Sequence, residues 1–237
     1  MTIPFHRPRF FLSVPYACPY LESKTATTMV LDTASGIDHQ WFSLSLKSGF
    51  RRSGKIVYRP YCQNCNACVS VRIPASEYLP NRAQRRCYKK NRDVSTTMVP
   101  AGFSEEHFEL FCRYQSWRHA GDNMDHHDPD RYRESMVDSP IDSVFLEFRI
   151  DETLVGVSVC DLPDDGMSAV YTYFDPDVSQ RSLGTYAIMK QIEYVREIGL
   201  DWLYLGYWIN GCRKMSYKSN FRPLFGFINQ EWRILNR

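Results

Sequence analysis

Hydrophobic and polar positions follow their clearest pattern in the C-terminal third of the chain. Tyr171 and Tyr173 alternate with other residues at the period of a half-buried strand, and Pro176 ends that run. Apolar residues spaced by three or four positions follow and continue to Gly199, which is typical of an amphipathic helix closed by glycine. The apolar run at 202–209 predicts a second strand. The helical positions are Ile188, Met189, Ile192, Val195 and Ile198.

A strand, a helix and a strand in this order favour a parallel crossover. The loop Ser182-Leu183-Gly184 then lies at the helix N-terminus, beside the C-terminal end of the first strand. Backbone N–H groups at a helix N-terminus attract anionic or carbonyl oxygens. An ordinary crossover that binds no ligand has the same pattern, and periodicity alone favours that plainer interpretation.

Two more strands are predicted just before this unit, at 144–150 and 154–162, joined across Asp151-Glu152-Thr153. An antiparallel meander that enters a strand-loop-helix-strand unit is the order of the N-acetyltransferase-like fold, which this region resembles. We therefore expect an α+β protein with a GNAT-type mixed sheet flanked by helices. A smaller cysteine-containing region is expected to precede it.

The first hundred residues differ from the rest, because they are rich in cysteine and basic residues. A helix is predicted at 38–48, ended by Gly49, and strands are predicted at 55–59 and 69–73. The middle of the chain predicts helices at 104–120 and 128–138. We place a domain boundary near residue 100, which gives a cysteine-rich, basic region at 1–100 and an acyltransferase-like domain at 101–237.

Three cysteines, Cys62, Cys65 and Cys68, are separated by two-residue gaps between two predicted strands. Such spacing brings three thiols within reach of one metal ion or cluster, and Cys18 offers a fourth. Zinc and an iron-sulfur cluster are both compatible with this spacing. Reduced thiols that bind no metal are the other interpretation.

A dense run of basic residues, Asn81 to Asp93, carries a single acid at its end. If this run is helical, residues three and four positions apart share one face. Six like charges repel one another and gain from a polyanionic partner, so we expect a phosphate-binding surface rather than only a solvated face. The basic residues are Arg82, Arg85, Arg86, Lys89, Lys90 and Arg92.

Composition limits the classes of protein to consider. The 237 residues are 43% hydrophobic and 24% charged, with a formal net charge of +2, so nucleic-acid binding requires a local basic patch. Apolar runs are far shorter than a membrane span, and the first residues lack an uninterrupted apolar segment behind a basic end. We therefore expect a cytoplasmic protein with no membrane partner and with reduced cysteines.

Motifs along nearly the whole chain resemble those of the arginyl-tRNA–protein transferase family, with the closest similarity to its bacterial branch, the aspartate/glutamate leucyltransferases. Cys18-Pro19-Tyr20 departs from the eukaryotic pattern, in which a C-x-x-C pair stands here, so their cluster does not carry over directly. The matching segments are Gly49-Phe50-Arg51-Arg52-Ser53-Gly54, Tyr58 to Cys68, Arg82 to Arg86, His119-Ala120-Gly121, Tyr173 to Pro176, Ser182-Leu183-Gly184, Tyr204 to Ile209 and Lys214 to Lys218.

The resemblance implies transfer of leucine from Leu-tRNA to the N-terminal amine of proteins that begin with Asp or Glu, which marks them for degradation by the N-end rule. The donor ester is already activated, so no cofactor is required for the transfer. The partners are then aminoacyl-tRNA and acidic N-termini. The motifs shared among branches leave arginine open as the transferred residue.

This chemistry suggests roles for particular residues. The Ser182, Leu183 and Gly184 amides, or the Tyr173 or Tyr207 hydroxyl, are expected to stabilise the oxyanion, and a tyrosine, Asp175 or water is expected to move the proton. Candidates to bind the acidic side chain of the acceptor are Arg51, Arg52, Arg72 and Lys218. Arg51 or Arg52 is expected to do so, because both fall in a family motif away from the basic run. Arg82, Arg85, Arg86, Lys89 and Lys218 are expected to bind the aminoacyl-tRNA donor.

Two other functions are compatible with parts of the sequence. A coenzyme A-dependent N-acetyltransferase uses the same loop for a pyrophosphate, and Gln180 to Thr185 matches its glycine-rich motif only in part. A non-enzymatic RNA-binding module would bind tRNA through the basic run without turnover.

Overall fold

The computed structural model describes residues 8–32, 37–118 and 127–235, and His119 and the helix end predicted at Gly121 lie outside these ranges. The helices are α1 (His39–Lys47), α2 (Arg82–Lys90), α3 (Glu105–Arg118), α4 (Pro129–Tyr132), which continues as a π-helical turn at Arg133–Val137, and α5 (Leu183–Glu197); 3₁₀ segments span Pro176–Arg181 and Arg213–Asn220. The strands are β1 (Phe10–Leu12), β2 (Tyr16–Ala17), β3 (Thr25–Ala26), β4 (Thr28–Leu31), β5 (Arg51–Ser53), β6 (Ile56–Pro60), β7 (Val69–Pro74), β8 (Val94–Pro100), β9 (Ser143–Ile150), β10 (Thr153–Asp161), β11 (Gly166–Phe174), β12 (Trp202–Trp208), β13 (Phe225–Ile228) and β14 (Glu231–Ile234).

Within the described ranges, eight strands form one mixed sheet in the order β14-β13-β7-β12-β11-β10-β9-β8. The predicted meander is confirmed, because β9, β10 and β11 pair antiparallel in sequence order. The predicted crossover is also confirmed, because β11 and β12 are parallel neighbours joined by α5. Other neighbouring strands of this sheet are antiparallel.

Helices cover both faces of the large sheet, which makes the fold a mixed α+β fold. Alternate residues of a strand face opposite sides, so Phe145 packs in the core beneath α3 whereas Leu146 packs in the core beneath α5. The helix α5 buries Ile188, Met189 and Ile192 against the sheet, as their spacing predicts. None of the helices in the described part of the chain is long and apolar enough to cross a membrane.

A smaller antiparallel sheet in the order β1-β4-β6-β5 packs beside the large one, with α1. The two sheets are joined through the core by Tyr204, which packs with Leu31, Phe42 and Val57. The large sheet includes β7 and β8, which precede residue 101 in the chain, beside strands from the rest of it. The division of the chain near residue 100 stays a prediction.

Candidate active site

The two parallel strands β11 and β12 separate part-way along their length. They pair only where Gly166–Ser168 faces Trp202–Tyr204, although β11 continues to Phe174 and β12 to Trp208. Each strand carries a bulge at this point: Val170 is the extra residue opposite β10, and Leu205 is the extra residue opposite β7. Bulges bend a strand and end its regular pairing. A cleft therefore opens between the carboxyl ends of β11 and β12, which we call the β11–β12 cleft.

The N-terminus of α5 follows the carboxyl end of β11. Ser182 precedes the helix with a left-handed backbone (φ 58°), and its side chain does not cap the helix. Thr185 and Tyr186 donate to the Ser182 carbonyl, whereas the N–H groups of Leu183 and Gly184 have no acceptor among the described residues. A Cβ at Gly184 would meet only Phe174 Cε1, at 3.8 Å. Two donors at the positive end of a fifteen-residue helix suit an oxygen that carries negative charge.

Arg51 extends from β5 in the small sheet to the point where the two strands separate. Its Nη2 donates to the carbonyl of Ala169 in β11 at 3.0 Å and to that of Tyr204 in β12 at 3.4 Å. Its Nη1 is buried and has no partner within the described residues. Burial lowers the pKa of this guanidinium. One side of Arg51 therefore fills the gap between the strands, and the other side is left unpaired.

Lys218 provides a second buried cation beside Arg51. Its Nζ donates to the Tyr207 carbonyl at 2.6 Å, and the residue is 7% exposed. Burial, followed by the charge of Arg51, lowers the pKa of Lys218 to about 7. The bond to the Tyr207 carbonyl joins Lys218 to β12. Its surroundings are protein groups of the cleft rather than the exposed face of α2.

Arg52 lies next to Arg51 in sequence but is neutralised inside the protein. Its Nε and Nη2 donate to the two carboxylate oxygens of Asp161 at 2.7 and 2.6 Å, and their side chains are 1% and 0% exposed. Ser143 also donates to this carboxylate. Arg52 thus links the two sheets, and the structure does not bring it together with Arg51 as a second free cation.

The hydroxyl groups predicted to act in catalysis have partners within the fold. Tyr207 donates to the Gly49 and Tyr58 carbonyls at 3.0 and 3.2 Å, and burial raises its pKa. Tyr173 is fully buried and shares a hydrogen bond of 2.8 Å with Tyr132. These contacts are typical of core tyrosines. The catalytic roles of both stay predictions.

Asp175 follows Phe174, the last residue of β11, and the sequence predicts that the strand ends at this point. Its carboxylate accepts from the Asp177 backbone and from Arg113 Nη2 at 2.6 Å, and Arg113 also contacts Asp177. The carboxylate therefore caps the 3₁₀ segment and forms an ion pair with an arginine of α3. Sequence reasoning missed Arg113, because its helical position alone does not show which strand it approaches.

The basic run forms α2, as predicted, with a capping box made by Asn81 and Gln84. Arg82, Arg85, Arg86 and Lys89 are all exposed. The C-terminal end of the helix is attached to the segment that precedes α5, since Lys90 donates to the Gln180 carbonyl at 2.6 Å. Further contacts join Asn91 to the Arg181 carbonyl and Arg181 to Asp93.

The four cysteines predicted to bind metal are half-buried. Burial, followed by the neighbouring thiols Cys62, Cys18 and Cys65, raises the pKa of Cys68 to about 12, so the thiols are close enough to interact. Among residues 8–32, 37–118 and 127–235, however, no three Cys, His, Asp or Glu side chains are placed to hold a metal ion. As arranged, these thiols do not fit a tetrahedral metal site.

Aromatic side chains line the cleft near the α5 N-terminus, a feature that sequence reasoning also missed. Phe174 contacts Tyr114 and Trp117 of α3, with ring centroids 5.0 and 6.1 Å apart. Tyr217, next to Lys218, interacts electrostatically with Tyr114 and Arg51. The sequence signal that could have indicated these aromatic side chains is the three-residue spacing of Tyr114 and Trp117 on the predicted helix. Periodicity alone assigns such a pair to the core.

A separate groove of about 480 Å³ lies between the small sheet and α1. None of the cleft residues named above lines it. Its aromatic and cationic lining includes Phe10, Trp41, Phe50, Arg59 and Phe227.

Comparison with known families accounts for both halves of the chain. Residues 106–228 match the family described as "Arginine-tRNA-protein transferase, C terminus", and residues 16–86 match "Arginine-tRNA-protein transferase, N terminus". The chain belongs to the arginine-tRNA-protein transferase family. The resemblance that its motifs predict is thereby confirmed.

Individual relatives of the transferase are similar over nearly their full length. An aspartate/glutamate leucyltransferase of Thiobacillus denitrificans is 44% identical over 98% of this chain and 97% of its own. One of Pseudomonas fluorescens is 46% identical over 97% and 98%. Among solved structures, the C-terminal domain (DUF2156) of a lysylphosphatidylglycerol synthetase from Agrobacterium fabrum is 11% identical, with a TM-score of 0.47 over 70% of this chain and 51% of that one.

Proposed function

We propose that this protein transfers leucine from Leu-tRNA to the N-terminal amine of proteins that begin with Asp or Glu, marking them for N-end rule degradation. The observation that carries the proposal is the β11–β12 cleft, which combines free amides at the α5 N-terminus with buried cations that lack a carboxylate partner in the described chain. Relatives over 40% identical along nearly the whole chain carry the leucyltransferase name.

The reaction is aminolysis of an ester. The acceptor's α-amine has an ordinary pKa of about 8, so a useful fraction is neutral near pH 7. Its nitrogen attacks the leucyl carbonyl carbon, the new amide bond forms, the ester bond to the tRNA ribose breaks, and the ribose hydroxyl takes a proton. Positioning the two substrates supplies much of the rate. Since the ester is already activated, the proposed transfer needs no cofactor.

The amides of Leu183 and Gly184 are placed to stabilise the oxyanion of the tetrahedral intermediate. Backbone donors aimed at a developing negative charge are among the strongest catalytic devices in acyl transfer. Their position at the mouth of the cleft supports this role. The aromatic side chains of Tyr114, Trp117 and Phe174 would exclude water from the ester.

We assign Arg51 the role of binding the acidic side chain of the acceptor. Its free Nη1 is a donor inside the cleft, whereas Arg52 already binds Asp161. Arg72, another cation of this region, is stacked on Trp202 and Trp232, 3.6 and 4.2 Å from their ring centroids. Arg51 is therefore a better candidate for this role than Arg52, the other arginine of the segment 49–54, and than Arg72.

The exposed basic face of α2 is assigned to the tRNA. Arg82, Arg85, Arg86 and Lys89 can neutralise phosphates. The contacts of Lys90 and Asn91 with the segment before α5 support this assignment, because they join α2 to the segment that leads to the Leu183 and Gly184 amides. We also propose that the fold is GNAT-like. Three features support this proposal: the meander β9-β10-β11, the parallel neighbour β12 and the gap between β11 and β12.

A cytoplasmic location goes with these partners, because aminoacyl-tRNA and acidic N-termini are both encountered there.

Zinc or an iron-sulfur cluster at Cys18, Cys62, Cys65 and Cys68 stays a prediction, and metal analysis of the purified protein tests it. No step of the proposed transfer uses those thiols.

The test is transfer of labelled leucine from Leu-tRNA to peptides that differ only in a first residue of Asp, Glu or Lys. Arg-tRNA and acetyl-CoA serve as alternative donors. Label on the Asp and Glu peptides from Leu-tRNA alone is the expected result. Transfer from Arg-tRNA instead would keep the mechanism and change the donor, transfer from acetyl-CoA would make the protein an acetyltransferase, and tRNA binding without transfer would make it an RNA-binding module.

A further inference from the structure

Two buried cations lie close together in the β11–β12 cleft, and the part of the chain that the structure describes supplies no carboxylate that pairs with them. Arg51 and Lys218 are 5% and 7% exposed. The acid that acts on Arg51 is Asp161, and both oxygens of that carboxylate are bound by Arg52. Within the described residues, neither cation forms a salt bridge. Such an arrangement opposes folding, because a buried charge is costly unless it is paired.

Carbonyl groups hold both cations in place. Ala169 and Tyr204 accept from one edge of the Arg51 guanidinium, and Tyr207 accepts from Lys218. These bonds use part of the donor set and leave Arg51 Nη1 without an acceptor. An ammonium has three donors, and among the described residues one acceptor, the Tyr207 carbonyl, contacts Lys218. These remaining donors can bind an anion that the described part of the chain does not supply.

Gly206 keeps space beside this site. It follows the bulge residue of β12 and has a φ of +82°, a conformation that side chains rarely adopt. A Cβ at this position would lie 3.4 Å from Arg51 Nη2 and 3.5 Å from Lys218 Nζ. Gly206 is only half-buried, so this part of β12 is near solvent. A glycine here therefore leaves room next to both cations.

We propose that Arg51 and Lys218 together bind the side-chain carboxylate of the acceptor's first residue, in a pocket that Gly206 keeps open. The inference rests on the proposed function, deepens its acceptor site and assigns Lys218 to the acceptor rather than to the tRNA. Arg51 Nη1 is shielded from solvent, so entry requires movement of a covering side chain. Tyr217 adjoins Lys218, interacts electrostatically with Arg51 and is 43% exposed, so we expect it to be the side chain that moves.

A pocket of this kind explains a preference for Asp and Glu over Asn and Gln. A carboxylate pairs with both cations, whereas an amide of the same shape leaves them buried and unpaired. Two donor groups on different elements also tolerate the extra methylene of Glu. The preference then comes from binding and does not need a charged tRNA.

The test measures peptide binding to the full chain in the absence of tRNA. Fluorescent peptides that begin with Asp, Asn, Glu or Gln are titrated into the wild-type protein, into Lys218→Met and into Lys214→Met. Lys214 lies in the same 3₁₀ segment and is exposed, so its variant is the matched control. We expect wild-type and Lys214→Met to bind the acidic peptides about tenfold or more tighter than the amides, and Lys218→Met to lose most of that ratio.

A second measurement uses the wild-type protein and so does not depend on how a variant folds. With ¹³Cε-labelled lysines, we expect the Lys218 resonance to titrate near neutral pH, and its absence from the Lys218→Met spectrum assigns it. The Asp peptide should raise its pKa, and the Asn peptide should not.

Three results would overturn the proposal: equal wild-type affinity for Asp and Asn peptides, an unchanged ratio in a folded Lys218→Met protein, or a Lys218 titration that the Asp peptide does not move. Loss of turnover in Lys218→Met with unchanged peptide binding would instead assign Lys218 to the α-amine and would also contradict the pocket. Failure of the proposed function is seen separately, as an absence of leucine transfer by the wild-type protein.

Discussion

Arg51 and Arg52 are adjacent in sequence and have opposite environments in the fold. Both fall in one motif, and local pattern offers no way to choose between them. The difference arises from partners more than a hundred positions away, since Asp161 lies beside Arg52 and the carbonyls of Ala169 and Tyr204 lie beside Arg51. The sequence therefore predicts that an arginine of this pair acts at the site. The tertiary structure adds that Arg52 is paired with Asp161, whereas Arg51 keeps a buried donor with no partner among the described residues.

Replacement of Arg52 by Met should destabilise the protein by about 3 to 5 kcal/mol, because it leaves the Asp161 carboxylate buried without its bidentate partner. Urea unfolding monitored by circular dichroism measures this loss. Arg233→Met removes an exposed ion pair with Glu231 and should cost less than about 1 kcal/mol. Equal effects of the two replacements would contradict the structural role of Arg52.

The lowered pKa of Lys218 predicts a pH-dependent contribution to stability. The unfolded lysine binds its proton up to about pH 10, whereas the folded one loses it from about 7, so this residue destabilises the fold most at and below pH 7 and progressively less as the pH rises. Burial is the main cause of this lowered pKa, followed by the charge of Arg51 of β5, whereas Cys212 of the loop after β12 opposes it. The other group that faces the Lys218 ammonium is the carbonyl of Tyr207, which does not titrate.

Lys218→Met should therefore gain stability over wild-type at pH 7, and this gain should shrink by about 1 to 3 kcal/mol by pH 9. Urea unfolding at pH 7, 8 and 9 measures the difference between the free energies of unfolding of the two proteins. Tyrosines and cysteines that both proteins share titrate in both, so their contributions cancel in this difference. A difference that is constant with pH, or that grows, would show that Lys218 is not a buried cation.

At the scale of elements, the strand-helix-strand unit was predictable and its cleft was not. Pro176 and Gly199 mark the element ends in the sequence, and the apolar spacing between them is that of a helix. The bulges at Val170 and Leu205 arise from pairing with β10 and β7, and the sequence pattern does not register that pairing. Gly206 was visible as a glycine in a strand, which is a recognised sign of a bulge.

Gly184→Pro tests the oxyanion role of the α5 N-terminus. Proline is tolerated in the first turn of a helix and removes only a free N–H, while a Cβ meets just Phe174 at 3.8 Å. We expect kcat for leucine transfer to fall about 100-fold, with peptide binding unchanged. Gly184→Ala keeps the N–H and should stay near wild-type. Similar turnover in the alanine and proline variants would remove the Gly184 amide from the mechanism.

The basic face of α2 predicts a salt-dependent donor interaction. Replacing Arg82 and Arg86 by Gln should raise KM for Leu-tRNA and lower the magnitude of the salt slope of tRNA binding by about 1 to 2, with little effect on kcat. Arg131→Gln, on the exposed face of α4, is the control. If the double variant kept the wild-type salt slope, the tRNA would bind elsewhere.

At the scale of the whole molecule, the α+β class and the meander were predictable because each hairpin is local in sequence. The assembly of the large sheet was not, because β7 inserts between β12 and β13 from the far end of the chain, and β8 forms the other edge. Pairings of such large sequence separation leave no periodic signal. This arrangement brings Arg51 from the small sheet into the gap between β11 and β12.

The central claim is that the β11–β12 cleft holds both reacting groups, and it is tested most directly by a crystal structure with substrate analogues. The ligands would be an RNA 3′ end carrying leucine through a stable 3′-amide, and a peptide that begins with Asp. We predict the leucyl carbonyl oxygen on the Leu183 and Gly184 amides and the Asp carboxylate between Arg51 and Lys218. Ligands bound instead in the groove of Phe10, Trp41 and Phe227 would contradict this assignment of the active site.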